Sequence, residues 1–374
     1  MKNVVKFLRG MVLFFLVSVS VFAGGTKEET EAPKVSAMPA ASKYNEAPML
    51  AEMVKAGKLP SVDQRLPEEP YVQKVVEEIG KYGGMLRVVS NEASKLGDGR
   101  NTVGRPMAVK YDFDAATKSP HFVKKWEFSD DGKVITLYYR KGVKWSDGQP
   151  FTTEDLRFWY EDVLLNKDLN PSLYPAWKVG GELMKMESVD DYTVRLKFAA
   201  PNPLFLENLA IFAENHWEDG WVYPSHYMKP FHPRYRPKGE LDKLVKEKGF
   251  NNWWELFKYM SPRLEDAWSV DKIGIPTLRS HTVTEVGPNY IVMTRNPYYW
   301  KVDPAGNQLP YIDKIYTQIV ERELYQGKVA AGEADFAIRR TDLENLALYK
   351  SGEASGNYKV YFWKSVITGE FEIL

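Results

Sequence analysis

Residues 122–156, FVKKWEFSDDGKVITLYYRKGVKWSDGQPFTTEDL, decide how this part of the chain folds. Two extended runs, Trp126–Ser129 and Val134–Arg140, flank the polar sequence Asp130-Asp131-Gly132. A glycine at that position supplies the positive φ that tight hairpin turns need. The stretch therefore predicts a β-hairpin.

A helix is predicted directly after this hairpin. Thr152 and Asp155 have the spacing of a capping box, in which two side chains satisfy the free backbone amides of a helix start. The apolar side chains that follow recur at helical spacing and would line one face: Leu156, Trp159, Tyr160, Val163 and Leu164.

Strand-like and helix-like runs alternate along the rest of the chain. Strands are predicted at Met85–Ser90, Leu183–Ser188, Tyr192–Phe198, Thr282–Val286, Tyr290–Arg295, Ile312–Val320, Ala334–Ile338 and Tyr358–Lys364. Helices are predicted at Ala47–Ala56, Tyr71–Ile79, Leu204–Ala213, Glu240–Glu247, Trp253–Met260, Glu321–Ala331 and Leu343–Tyr349. This mixture indicates an α/β body built on more than one sheet.

The composition excludes several classes of protein. The 374 residues include 50 basic and 50 acidic side chains, so no excess of positive charge favours a nucleic-acid partner. Without cysteine there is no disulfide, thiolate nucleophile or cysteine-ligated metal. No HExxH, Walker A, G-x-S-x-G or complete G-x-G-x-x-G motif occurs, so no cofactor is expected.

The first 23 residues have the pattern of a cleaved secretory signal peptide. Three basic residues precede the apolar run Met11–Phe22, and the small residue Ala23 follows it. This run is shorter than the roughly 20 residues that cross a bilayer. We expect a periplasmic or other extracytoplasmic protein, in which residues 24–42 form a flexible linker.

Several long motifs, in the expected order, resemble family 5 extracellular solute-binding proteins, the receptors of peptide, nickel and oligosaccharide ABC importers. Besides residues 122–156, these motifs are Tyr82–Val88, Val189–Leu196, Arg295–Trp300 and Gly332–Phe336. The resemblance implies an α/β fold of the type II periplasmic-binding-protein kind, with two lobes and an extra domain. It also implies a non-catalytic monomer that delivers a peptide or oligosaccharide to an ABC permease in the cytoplasmic membrane.

The resemblance implies a domain order as well. Residues 43–90 would begin the first lobe, residues 91–180 would form the extra domain, and residues 181–357 would complete the first lobe. Residues 358–374 would begin the crossing to the second lobe. Because members of the family are substantially longer, we expect the second lobe to be largely missing, and ligand binding by this chain alone to be weak.

Four residues are candidates for ligand contact. Asn91 and Glu92 follow the strand Met85–Ser90, and ligands of α/β proteins often bind at the carboxyl ends of strands. Trp217 and Trp221, in a loop rich in proline and aromatic residues, have flat faces that suit a sugar or a peptide. The alternatives are an exposed loop for the first pair and a structural anchor for the second.

The main alternative function is a secreted carbohydrate-active hydrolase with a pair of catalytic carboxylates. Glu321, Glu323 and Glu333 are the carboxylates considered for it. Glu321 and Glu323 diverge on a predicted helix, and their convergence with Glu333 is unproven.

Other conspicuous residues are expected to be structural. Trp145–Gly148 would end the hairpin, and Asn296–Trp300 would leave a strand with its aromatic rings packed on a sheet edge. His216, His226 and His232 could ligate a metal only if the loop that carries them brought them together, which their spacing does not enforce. No metal site is expected.

Overall fold

The computed structural model describes residues 42–91, 103–104, 106–112, 114, 116–172, 177–211, 222–262, 270–338, 341–364 and 371–373. Its strands are β1 Tyr71–Val72, β2 Met85–Ser90, β3 Val109–Tyr111, β4 Lys118–Pro120, β5 Val123–Phe128, β6 Val134–Tyr139, β7 Lys178–Val179, β8 Glu182–Leu183, β9 Lys185–Asp190, β10 Thr193–Lys197, β11 His281–Val286, β12 Tyr290–Arg295, β13 Lys301–Val302, β14 Lys314–Ile319, β15 Phe362–Lys364 and β16 Phe371–Ile373. The predicted signal peptide and nearly all of the predicted linker lie outside the described residues.

The helices alternate with these strands. The α-helices are α1 Pro48–Lys55, α2 Val62–Arg65, α3 Thr153–Phe158, α4 Phe205–Ile211, α5 Ser225–Met228, α6 Lys238–Glu247, α7 Trp253–Met260, α8 Arg322–Ala330 and α9 Leu346–Gly356. Short 3₁₀ turns lie at Lys229–Phe231, Val270–Lys272 and Leu343–Asn345. A mixed α/β architecture is confirmed.

The first sheet is antiparallel and has the order β5-β6-β10-β9. The predicted hairpin is confirmed: β5 and β6 pair around a turn in which Gly132 has a φ of 65°. Side chains of one face alternate into the core, where Ile135, Leu137 and Leu196 are fully buried. Alternating burial of this kind is what a half-buried strand requires.

The predicted helix start after the hairpin is confirmed. The Thr152 hydroxyl accepts the amide of Glu154, and the Asp155 carboxylate accepts the amide of Thr152. The helix continues as a π-helical turn over Trp159–Leu164. Leu156, Phe158 and Trp159 join the large core cluster beside the first sheet.

The second sheet is mixed and has the order β11-β12-β14-β2. Strand β12 is antiparallel to both of its neighbours, whereas β14 and β2 run parallel. One face is apolar and carries Val88, Val283, Ile291, Met293 and Ile315, all buried. The opposite face carries half-buried side chains: Tyr290, Val292, Thr294, Tyr316 and Gln318.

Two predicted elements are wrong. Tyr71–Ile79 is not a helix, because the amides of Tyr71 and Gln73 bond to carbonyls of the strand region that contains β13. Residues 334–338 do not form a strand either. They run beside β2, where the Asp335 amide donates to the Arg87 carbonyl at 2.8 Å, but the regular ladder does not continue.

The first sheet spans the predicted boundary at residue 180. Strand β6 pairs with β10, and β10 pairs with β9, so residues on both sides of that boundary build one sheet. The division into a first lobe and an extra domain stays a prediction. Among the described residues, no helix is both long enough and apolar enough to cross a membrane.

Candidate ligand-binding edge

The second sheet has an edge at which its two parallel strands both end. The Val320 amide donates to the Ser90 carbonyl at 2.9 Å, so the residues that follow β2 and β14 start side by side. Strand β12 begins at the same edge, because the Ile319 amide donates to the Asn289 carbonyl at 2.9 Å. Ligands of α/β proteins typically bind at such carboxyl ends of parallel strands.

Aromatic and acidic side chains lie beside this edge. The rings of Tyr290 and Tyr316 stack with centroids 5.5 Å apart and planes at 23°. The Tyr290 hydroxyl donates to a Glu285 carboxylate oxygen at 2.5 Å, and this hydrogen bond raises the pKa of Tyr290. The arrangement offers flat ring faces next to hydrogen-bonding groups, a combination that suits sugars and peptides.

Charged groups surround the start of α8 at the same edge. Glu321 is the N-cap residue of α8, and its side chain makes no capping hydrogen bond. Arg322 is paired with Asp342 at 3.0 Å, and the hydrogen bond to Asp342 raises the pKa of Arg322. The start of α8 therefore presents both a carboxylate, from Glu321, and a guanidinium, from Arg322.

Of the four predicted ligand residues, the structure describes only Asn91. This residue directly follows β2 at the edge and is half-buried. Glu92, Trp217 and Trp221 lie outside the described residues, so their roles stay predictions. The sequence analysis did not identify the stacked tyrosines as candidates. Tyr290 is the first residue of a strand whose side chains alternate strictly between buried and half-buried. This alternation would have placed Tyr290 on the less buried face of the sheet.

The motif Trp145–Gly148 is a structural junction, as expected. The Trp145 indole is buried and donates to the Asp155 carboxylate at 3.0 Å. Gly148 has a φ of 89°, and a Cβ there would meet the Tyr298 hydroxyl at 2.9 Å. Because the backbone and the space both exclude larger residues, this glycine holds the turn against the segment that contains Tyr298.

The motif Asn296–Trp300 is packed in the same way. The Asn296 amide nitrogen donates to the Arg279 carbonyl at 2.9 Å. The Trp300 indole donates to the Leu278 carbonyl at 3.2 Å, and its ring lies edge-on to Phe122 at 5.1 Å. Both side chains are almost fully buried and serve the core.

The carboxylates of the hydrolase alternative gain no support from their surroundings. Glu321 and Glu323 are exposed, and Glu333 is held by the Lys328 ammonium. No observation favours a hydrolytic pair.

A metal site also gains no support in the described part of the chain. There, no group of three or more His, Asp or Glu side chains converges. His226 instead contacts Asp147 at 2.9 Å, and His232 contacts Asn166 at 3.3 Å. His216 lies outside the described residues.

Comparison with known proteins agrees with this fold. Residues 118–366 match the family described as bacterial extracellular solute-binding proteins, family 5 Middle. The periplasmic alpha-galactoside-binding protein of Rhizobium meliloti is 29% identical over 87% of this chain and 49% of its own length. The oligopeptide-binding protein OppA of Bacillus subtilis is 22% identical over 56% of this chain and 46% of its own length.

Two solved structures are similar over most of the chain. An oligopeptide-binding protein OppA superposes with a TM-score of 0.76 and 35% identity, covering 86% of this chain and 49% of its own. The periplasmic binding protein MelB of Agrobacterium fabrum C58, in complex with stachyose, gives a TM-score of 0.68 and 27% identity, covering 87% and 48%. The chain thus spans about half the length of these relatives. It belongs to the family 5 bacterial extracellular solute-binding proteins.

Proposed function

We propose that this chain is part of the substrate-binding component of an ABC importer. It captures an oligosaccharide or a peptide outside the cytoplasmic membrane and hands it to a permease. The protein is exported by the signal peptide at residues 1–23 and acts as a monomer in the periplasm or another extracytoplasmic space. Its family supports the capture role. Relatives named for alpha-galactoside and oligopeptide binding, and one solved in complex with stachyose, support both ligand classes.

The observation that carries the proposal is the strand edge described above. Asn91 lies there next to the end of β14, and the stacked pair Tyr290 and Tyr316 lies on the same sheet. In the proposal, Asn91 and Glu92 hydrogen-bond the ligand while Trp217 and Trp221 stack on it. A small number of polar groups placed among aromatic faces is typical of small-molecule binding sites.

Isothermal titration calorimetry with the 374-residue chain tests the proposal. Stachyose and raffinose represent the oligosaccharides, and tri- to pentapeptides represent the peptides. We expect saturable binding of one class. Failure of both classes to bind would contradict the proposal, as would release of free sugar from stachyose.

A matched pair of variants locates the site. Asn91→Ala should weaken binding about fivefold, because one side-chain hydrogen bond contributes about 1 kcal/mol. Asn251→Ala removes an exposed amide before α7 and should leave the affinity unchanged. Equal losses in the two variants would mean that the ligand does not contact the edge.

A further inference from the structure

Three cationic side chains surround a single tyrosine ring away from the ligand-binding edge. The ammonium groups of Lys301 and Lys110 lie 5.3 and 5.4 Å from the centroid of the Tyr71 ring, and the Arg140 guanidinium carbon lies 5.5 Å from it. These four residues form the Tyr71 cluster. The parallel pairing of β1 with β13 brings Tyr71 and Lys301 together.

Among the described residues, no carboxylate pairs with the Lys301 ammonium. Its side chain is buried, and no described residue forms a hydrogen bond or an ion pair with it. Arg140 differs, because it donates to the carbonyls of His121 and Glu69, each at 2.9 Å. A buried charge without an ionic partner costs free energy, so the amine of Lys301 needs an explanation.

Two acidic groups lie near the cluster, and one of them, Asp112, pairs with a member of it. Asp112 is shared by Lys110 at 3.9 Å and Lys74 at 4.0 Å. Glu69 is exposed, and its carboxylate lies 3.4 Å from the Lys124 ammonium. With one paired carboxylate against three cations, the cluster keeps an excess of positive charge.

Burial and, after it, these positive charges lower the pKa of two groups in and beside the cluster. Burial, reinforced by the charges of Lys110 and Arg140, lowers the pKa of Lys301 to about 7. The pKa of the neighbouring His121 is lowered well below its usual value, first by burial and then by Lys301. Nδ1 of His121 hydrogen-bonds the Met107 carbonyl, and a neutral imidazole supplies no negative charge to the cluster.

Aromatic faces offset part of the cost. Besides Tyr71, the ring centroids of Trp300 and Tyr299 lie 5.1 and 5.8 Å from the Lys301 ammonium. Such contacts attract a cation without neutralising it. They account for the position of one ammonium group, but they carry no negative charge, and Asp112 pairs with only one of the three cations of the cluster.

We propose that the Tyr71 cluster binds a small oxyanion, of the chemical class of inorganic phosphate, between Lys301 and the two neighbouring cations. An oxyanion is attracted by all three charges, and a guanidinium and an ammonium are the usual donors to its oxygens. By linkage, the bound anion favours the protonated form of Lys301. This site is independent of the ligand-binding edge and of the transported solute.

Thermal unfolding of the 374-residue chain tests the inference, with inorganic phosphate increased at an ionic strength held constant by sodium chloride. Phosphate at about ten times its dissociation constant should raise the melting temperature by about 2–4 °C. Lys301→Met should abolish the increase, whereas Lys301→Arg, which keeps the charge, should retain it. No increase in the wild-type protein, or an equal increase in Lys301→Met, would overturn the proposal.

A matched control variant tests whether the response is specific to Lys301, and a second measurement applies if Lys301→Met does not fold. Lys43 is an exposed lysine whose ammonium lies 5.0 Å from the Tyr44 ring, so Lys43→Met should keep the phosphate response. If Lys301→Met does not fold, NMR of the lysine side chains in the wild-type protein replaces it. Phosphate should then raise the pKa of Lys301 from its value of about 7, and an unchanged titration would refute the site.

Discussion

The two four-stranded sheets differ in how completely their faces are packed. The first sheet lies beside the large core cluster that contains Trp145, Phe151 and Trp300. The second sheet buries only a small apolar cluster on one face, while Tyr290 and Tyr316 remain half-buried on the other. The first sheet is therefore mainly a source of stability, and the second presents side chains that a ligand could use.

The largest expected effect is the loss of the indole at the centre of the better-packed region. Trp145→Ala should lower the free energy of unfolding by about 3–5 kcal/mol, because it leaves a cavity and deprives the buried Asp155 carboxylate of a donor. Urea unfolding followed by circular dichroism measures this loss. Trp145→Phe, which fills more of the space, should lose less, and equal losses would contradict the packing argument.

We expect protonation of His281, in the second sheet, to lower the stability of the protein in acid. This buried imidazole hydrogen-bonds the Ile312 carbonyl at 3.1 Å, and burial lowers its pKa to about 4. Between the unfolded pKa of about 6.5 and the folded value, only the unfolded chain binds the proton. The free energy of unfolding should therefore fall by roughly 3 kcal/mol as the pH falls through this window.

His281→Gln isolates this contribution from those of other titrating groups. We expect the variant to be less stable than the wild-type protein at neutral pH, and we expect the difference to shrink as the pH falls toward 4. Unfolding curves of both proteins across the window measure the difference. Parallel pH profiles would show that His281 is not the titrating group.

A smaller effect is expected at the helix that follows the first hairpin. Thr152→Ala removes the hydroxyl that accepts the Glu154 amide and should cost about 1 kcal/mol. Thr152→Ser keeps the acceptor and serves as the control. A loss of the same size in both variants would place the effect in the methyl group rather than in the cap.

The smallest effect is expected on the apolar surface near the second sheet. Leu324 on α8 is about half exposed, so Leu324→Ser should change the free energy of unfolding by less than about 0.5 kcal/mol. Leu196→Ala, in the buried face of the first sheet, should cost about 2–5 kcal/mol. A large cost for Leu324→Ser would show that a packed interface covers this part of α8 in solution.

Local signals predicted the local elements. The turn at Gly132 and the capping box at Thr152 depend on a few adjacent residues, and both are found. The helix predicted at Tyr71–Ile79 failed because its apolar spacing has no surface to pack against: Val76 remains 75% exposed. Pairing with β13, distant in the sequence, determines this segment instead.

The candidate site could be predicted only in part. Asn91 follows from the rule that ligands bind after strand ends, and it lies at the edge as expected. The sequence does not reveal that β2 pairs in parallel with β14. The two strands have similar apolar content, so their composition does not specify which strands become neighbours. The stacking of Tyr290 on Tyr316 depends on the register between β12 and β14, which sequence periodicity does not contain.

The parallel pairing of β2 with β14 has a consequence for biosynthesis. Met85 and Lys314 are register partners although more than two hundred residues separate them, whereas β5 and β6 close a turn of a few residues. Distant contacts form slowly, because a long loop must be closed before they are gained. The β5–β6 hairpin can therefore form while the chain is still being synthesised. Strand Met85–Ser90 can pair with β14 only after Ile319 has been synthesised.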